Sequence, residues 1–217
     1  MGQYYAPVVI DQRENPTVMW WFLAHIYGNG LKLMEHSYVG NDLVRAVETF
    51  LRMDGGMRLV WAGDYADPES CGENLYQLTG SGEEDGYGRC VAIRAGLEPL
   101  YPGYEPTLTE ITDKCKVLDI PLAEDEDCRY VINLDAGCYV DTALAPRPYE
   151  DFDAQLHPLP ILTCEGNGRG GGDYHRETSV VGSWARCRVT VSGRVPQGYS
   201  ELDFATALGI AELSRVG

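Results

Sequence analysis

Hydrophobic positions along the chain fall into several short extended runs and one long run of helical period. Tyr4 to Ile10, YYAPVVI, gathers aromatic and β-branched residues around one proline and predicts a strand. DQRENPT supplies turn chemistry, and VMWWFLA (Val18 to Ala24) is apolar throughout, the pattern of a strand or short helix buried on both sides. Asn29-Gly30 carries a hairpin signal, and LKLMEH alternates Leu31, Leu33 and Glu35 in strand fashion. The first forty residues therefore predict a β-meander.

The clearest helix spans 41–52. Asn41 is a good N-cap, and Leu43, Val44, Val47, Phe50 and Leu51 recur at helical spacing. Asp42 and Arg45, and Glu48 and Arg52, are spaced to pair along it, and Asp54-Gly55-Gly56 ends it. MRLVWAG (Met57 to Gly63) then returns as a strand, predicting a β-α-β unit. Farther on, ENLYQLTG predicts a helical turn, RCVAIRAG a strand, and CRYVINLDAGCYVDT a hairpin about Asp135-Ala136-Gly137. HPLPILTC and VVGSWARCRVTVS predict strands, and ELDFATALGIAEL a helix. Prolines and scattered polar residues between Leu97 and Leu122 imply irregular structure. The expected fold is α+β, a mixed, mostly antiparallel sheet with one clear amphipathic helix (41–52). It forms a single domain, 1–217, with a loop-rich insertion around 97–127.

Length agrees with that picture. At 217 residues and 24.0 kDa the chain buries roughly 70% of its unfolded surface and needs no metal or disulfide staple to fold. Charge changes the picture more. Seventeen basic residues against 33 acidic ones give a formal net charge of -16. Such a field repels phosphate backbones, so direct nucleic-acid binding is not expected, whereas steering toward a basic protein partner is permitted. Acidic surfaces also serve solubility alone. The longest apolar run is far shorter than a membrane span, so no membrane partner is expected. Seven cysteines, no CxxC pair and no basic-apolar leader point to free thiols in a reducing cytoplasm and away from the usual zinc spacings.

Three stretches carry candidate chemistry. EGNGRGGGDYHRE (165–177) packs five glycines into 166–172 around Arg169. It matches G-x-G-x-x-G at Gly166, Gly168 and Gly171, but no helical pattern follows and Arg186, not an acid, stands twenty residues on, so the dinucleotide fingerprint fails. A weaker reading remains. Gly166, Gly168, Gly170, Gly171 and Gly172 can turn successive amides toward one anion, with Arg169, Asp173 and His175 beside it. The other reading is a plain strand connection. In MEHSYVGN (34–41), His36 is a candidate general base, with Glu35 or another carboxylate to orient it; alternatively it is a bystander beside the helix cap. In WAGDYADPE (61–69), Asp64 and Asp67 follow a strand and can hold Mg²⁺ through oxygen, or form an ordinary turn. His25 reads as a structural histidine and His157 as a loop residue.

MGQYY, GLKLMEHSYVGN, RLVWAGDYAD and EGNGRGGGDY…VGSWA together resemble small uncharacterised proteins carried by bacteriophages and mobile elements of gut and Gram-positive bacteria. The likeness touches both ends of the chain and the strand-helix unit between them, and leaves 71–127 unmatched. It implies a cytoplasmic accessory role at the phage-host interface and transfers no site.

The expected function is an accessory or interaction protein that recognises a small anionic ligand or a basic protein partner, for example by inhibiting a host nucleic-acid-handling complex. The alternative is an enzyme acting on a nucleotide or other phosphorylated small molecule, with Arg169 and the loop amides on phosphate, His36 moving protons and Asp64 holding a metal. No cofactor is expected except Mg²⁺ under that alternative, and no protein-held metal site otherwise.

Overall fold

The computed structural model describes residues 3–80, 88–93, 115–148, 153–166 and 180–210. Within them one sheet runs through the protein in the order β10-β7-β6-β9-β3-β1-β2-β4-β5, with β8 attached to β3. Its strands are β1 (Tyr5–Ile10), β2 (Val18–Trp21), β3 (Met57–Gly63), β4 (Arg89–Ile93), β5 (Cys115–Leu118), β6 (Tyr130–Asn133), β7 (Cys138–Asp141), β8 (Cys164–Glu165), β9 (Arg188–Ser192) and β10 (Ser200–Glu201). β1 pairs antiparallel with both β2 and β3, and β6 antiparallel with both β7 and β9. β4 runs parallel to β2 and β5, β8 parallel to β3, and β10 parallel to β7. The class is α+β with a mixed, mostly antiparallel sheet, as the sequence pattern predicts.

Alternation along the central strands divides the apolar residues between two faces. Tyr5 and Val9 on β1, with Leu59 and Trp61 on β3, meet the main core. That face is covered by α2 (Asp42–Met53), which buries Leu43, Val44, Val47, Phe50 and Leu51. Val8, Ile10, Val60 and Ala62 point to the other face, where Leu75 and Leu78 of the single-turn α3 (Leu75–Leu78) close a smaller cluster. Pro7 lies just past the Val8 to Ile10 pairing with β2, where its carbonyl still accepts from Phe22 N at 3.0 Å and only the N–H that proline lacks is missing from the pattern.

Several sequence expectations hold. Asn41 caps α2 through its side-chain oxygen, which accepts from Val44 N at 3.2 Å. ENLYQLTG forms its helical turn and β6 and β7 form the expected hairpin, while of the helix expected over 201–213 only the single turn α5 (Phe204–Ala207) forms among the described residues, with Glu201 in β10 and 211–213 outside them.

Others are corrected. The first forty residues are not a meander. After the β1-β2 hairpin, Ala24–Tyr27 form a 3-10 turn that ends at Gly28 with φ 70°, and Leu33–His36 form the helical turn α1. Glu35 folds back to accept from Lys32 N at 2.8 Å, while Leu33 and His36, three apart, turn inward together. The predicted β-α-β unit fails for the same reason. Its first strand is a helix, and β3 returns antiparallel to β1.

HPLPILTC was expected as a strand and instead begins with the helix α4 (Pro158–Thr163). Pro158 presets the first turn, His157 caps it, and Thr163 returns its hydroxyl to Leu159 O at 2.7 Å. His157, expected as a loop residue, is the buried N-cap of this helix. VMWWFLA is not buried on both sides, since Met19 faces solvent on β2. Glu48 pairs with Arg45 and His157 rather than Arg52, whose partner is Asp127. Inside the expected irregular span, Cys115–Leu118 is strand β5 and Asp125–Cys128 a 3-10 turn; residues 97–114 lie outside the described residues. The expectation of free thiols fails at two positions. Cys90 and Cys115 stand directly opposite on β4 and β5, 4.3 Å apart at Cα, and form a disulfide.

Candidate functional site

The structure places the sequence-predicted residues in two different settings. His36 lies fully inside the core. Its Nδ1 accepts from the Trp61 indole N–H at 3.0 Å, and because an indole only donates, the ring proton sits on Nε2, which donates to Gly30 O at 2.8 Å. Neither ring nitrogen is left over for a substrate, and the Glu35 carboxylate is engaged at the start of α1.

Asp64 stands just past β3, where Oδ1 accepts from Tyr4 N at 3.0 Å. Burial raises its carboxyl above the ordinary range, against the lowering effect of backbone N–H groups from Tyr4 and Tyr65. The β3-β8 ladder pairs Ala62 with Glu165, which brings Asp64 and Gly166 to the same end of the sheet. Gly168, Arg169, Gly170, Gly171, Gly172, Asp173 and His175 lie outside the described residues.

Either side of that stretch, the chain is fastened by Arg186. Its guanidinium makes paired contacts with Glu165 and with Glu69, and Nη1 also donates to Arg13 O at 3.0 Å, so all five of its N–H groups are engaged. The two glutamates hold its charge far more firmly than an ordinary arginine's. Arg186 also carries φ 62°, a left-handed backbone uncommon outside glycine, and this web of bonds overdetermines it.

A second setting was missed by the sequence reading. A cleft of about 290 Å³ opens between the first turns of α2, the 3-10 turn at 125–128, Gln155 and His157. On its floor Glu48 and His157, both buried, meet at 3.0 Å from Glu48 Oε1 to His157 Nε2. His157 Nδ1 accepts from Leu159 N at 3.2 Å, so Nε2 carries the proton and donates it to the carboxylate. Arg45 reaches Glu48 Oε2 at 3.5 Å, pairs with Asp125 and donates to Ala123 O at 2.8 Å. Burial opposes the Arg45 charge, but Asp125 and Glu48 outweigh it and raise its affinity for the proton.

Arg129, on the rim, grips Asp141 with two nitrogens. Burial, reinforced by Glu48, pushes the Cys128 thiol up to about 12, so it stays protonated and a weak nucleophile at neutral pH. Both ring nitrogens of His157 are thus engaged by groups of the protein itself. Two signals for it stood in the sequence: Glu48 falls on the apolar side of the helix beside Val44, Val47 and Leu51, and 124–127 is a run of four acids.

Among the described residues no group of three or more His, Cys, Asp or Glu is placed to hold a metal ion, and no helix is long and apolar enough to cross a membrane. Fold and site together define an α+β protein with a carboxylate-rich cleft. Compared with protein-family models, curated proteins and solved structures, the chain matches none.

Proposed function

We propose that this protein acts by binding, and that a basic group of a protein partner occupies the cleft between α2 and the 125–128 turn. The observation that carries the reading is the pairing of the cleft's own cations. Arg45 is taken by Glu48 and Asp125, and Arg129 by Asp141, while Glu126 lines the cleft with no ion pair among the described residues. The balance of charge facing an incoming group is negative. A net charge of -16 extends that preference over long range and speeds encounter with a cationic surface. In this reading the protein is a cytoplasmic accessory factor of a phage or mobile element, and blocking a basic channel of a nucleic-acid-handling complex is one form of the role.

The test is calorimetric titration of the full chain with an arginine-rich peptide and with a glutamate-rich peptide of equal length, at low and high salt. The arginine peptide is expected to bind, weakening steeply with salt, and E124Q/E126Q is expected to weaken it several-fold. Equal binding of both peptides, or a variant indistinguishable from the parent, overturns the reading.

A further inference from the structure

Gln3 sits at the other end of the molecule's polar inventory, tucked against the ends of β3 and β8 and only 4% exposed. Its Oε1 accepts from the Tyr5 hydroxyl at 3.0 Å, but its Nε2, fully buried, has no hydrogen-bond acceptor among the described residues. Leaving an amide in that state is costly, because the water it gave up is not replaced.

The surroundings are shaped for this amide. A Cβ at Gly63 would stand 2.3 Å from Gln3 Nε2 and 2.6 Å from Glu165 O, and one at Gly166 would stand 2.8 Å from both Gln3 Oε1 and the Tyr5 oxygen. Neither glycine has a positive φ, so backbone freedom does not demand glycine there. The two missing side chains instead leave the room in which the amide lies.

We propose that this recess is a binding site for the carbonyl oxygen of a small neutral molecule of the carboxamide type, received by the Gln3 Nε2–H groups. The charge around it selects against an anion. Asp64 follows Gly63 directly, Glu165 precedes Gly166, and the nearby Arg186 has every N–H committed to Glu165, Glu69 and Arg13 O. Among the described residues around the recess no cation is left to neutralise a carboxylate or phosphate, whereas a neutral carbonyl brings an acceptor without charge. A ligand lacking the acceptor would leave the donor unmet and bind much more weakly.

The experiment uses the full chain labelled with ¹⁵N and titrated with N-methylacetamide, and separately with acetate at matched ionic strength. Saturable movement of the Gln3 side-chain NH₂ signals with the amide, and at least tenfold weaker response to acetate, is the expected result. Gly166→Ala, which narrows the recess, and Gln3→Glu, which keeps an acceptor for Tyr5 but removes the donor, should both abolish the amide-induced shift at the Gly63 backbone signal. No response of the parent protein to either probe, an equal response to both, or an unaltered response in a folded variant overturns the proposal. So does a long-lived water held by the Gln3 NH₂ throughout the titration, since a structural water alone then fills the site. These readouts lie away from the α2 cleft and stand whether or not a basic partner binds there.

Discussion

Trp61 gives its indole N–H to His36 Nδ1 at 3.0 Å, joining the middle of the sheet to the short helix that precedes α2. Both residues are fully buried, so neither can lose its partner to water at low cost. His36→Ala removes the acceptor and opens a cavity, and should lower the unfolding free energy by about 2–4 kcal/mol in denaturant titration. The same geometry requires the Nε2–H tautomer, which ¹⁵N chemical shifts of the ring should display. An Nδ1–H tautomer would contradict it.

The Glu48-His157 pair makes a second stability prediction. Removing one partner of a buried, hydrogen-bonded pair strands the other, so Glu48→Ala should cost about 3–5 kcal/mol. Glu48→Gln retains a carbonyl able to accept from His157 Nε2–H and should cost clearly less. Equal losses in the two variants would show that packing of the stem, not the hydrogen bond, matters.

Asp135 sets an acid response. Burial alone would raise its carboxyl, but bonds from Arg188 and Arg58 more than reverse this and bring it down to about 2. A group depressed in the folded state adds stability above its unfolded value, roughly 3.9, and that contribution fades as pH falls through the window between about 4 and 2. The pair is partly exposed and solvent-screened, so the expected contribution is about 1 kcal/mol. Asp135→Asn should flatten the stability-pH curve in that window, and parallel curves for variant and parent would refute the assignment.

The disulfide yields a count and a magnitude. Seven cysteines, two of them joined, leave five titratable thiols in the unreduced, denatured protein. Cys90 and Cys115 are 25 apart in sequence, and opening a loop of that size should cost about 3 kcal/mol of stability. Seven thiols without reductant would exclude the bond.

What could be read in advance follows from how locally each element is determined. α2 announces itself because cap, apolar stripe and glycine stop all lie within one stretch, Asn41 to Gly56. The β6-β7 hairpin is equally local. α1 and α4 read as strands because elements of only four to six residues fit either period, and what decides them is a side-chain cap, Glu35 on Lys32 N or His157 on Leu159 N. The cleft is harder to read for another reason, despite the two local signals that it leaves. Glu48 and His157 meet across a separation of 109 positions, which no spacing rule reaches. His36 was visible as a polar residue near a helix start, but its burial against Trp61 depends on where the sheet passes.

Arg186 leaves one consequence for engineering. Arg186 ties Glu165 to the segment leading into β9, and Gly182 N and Trp184 N bond Ile161 O and Leu162 O, so the described residues on either side of 167–179 are joined to each other. Splicing a short serine-rich linker in place of 167–179 should therefore leave the melting transition close to that of the parent, whereas the same graft combined with Arg186→Ala should lower it sharply. Cargo inserted there would be carried between two anchors that the rest of the chain already holds together.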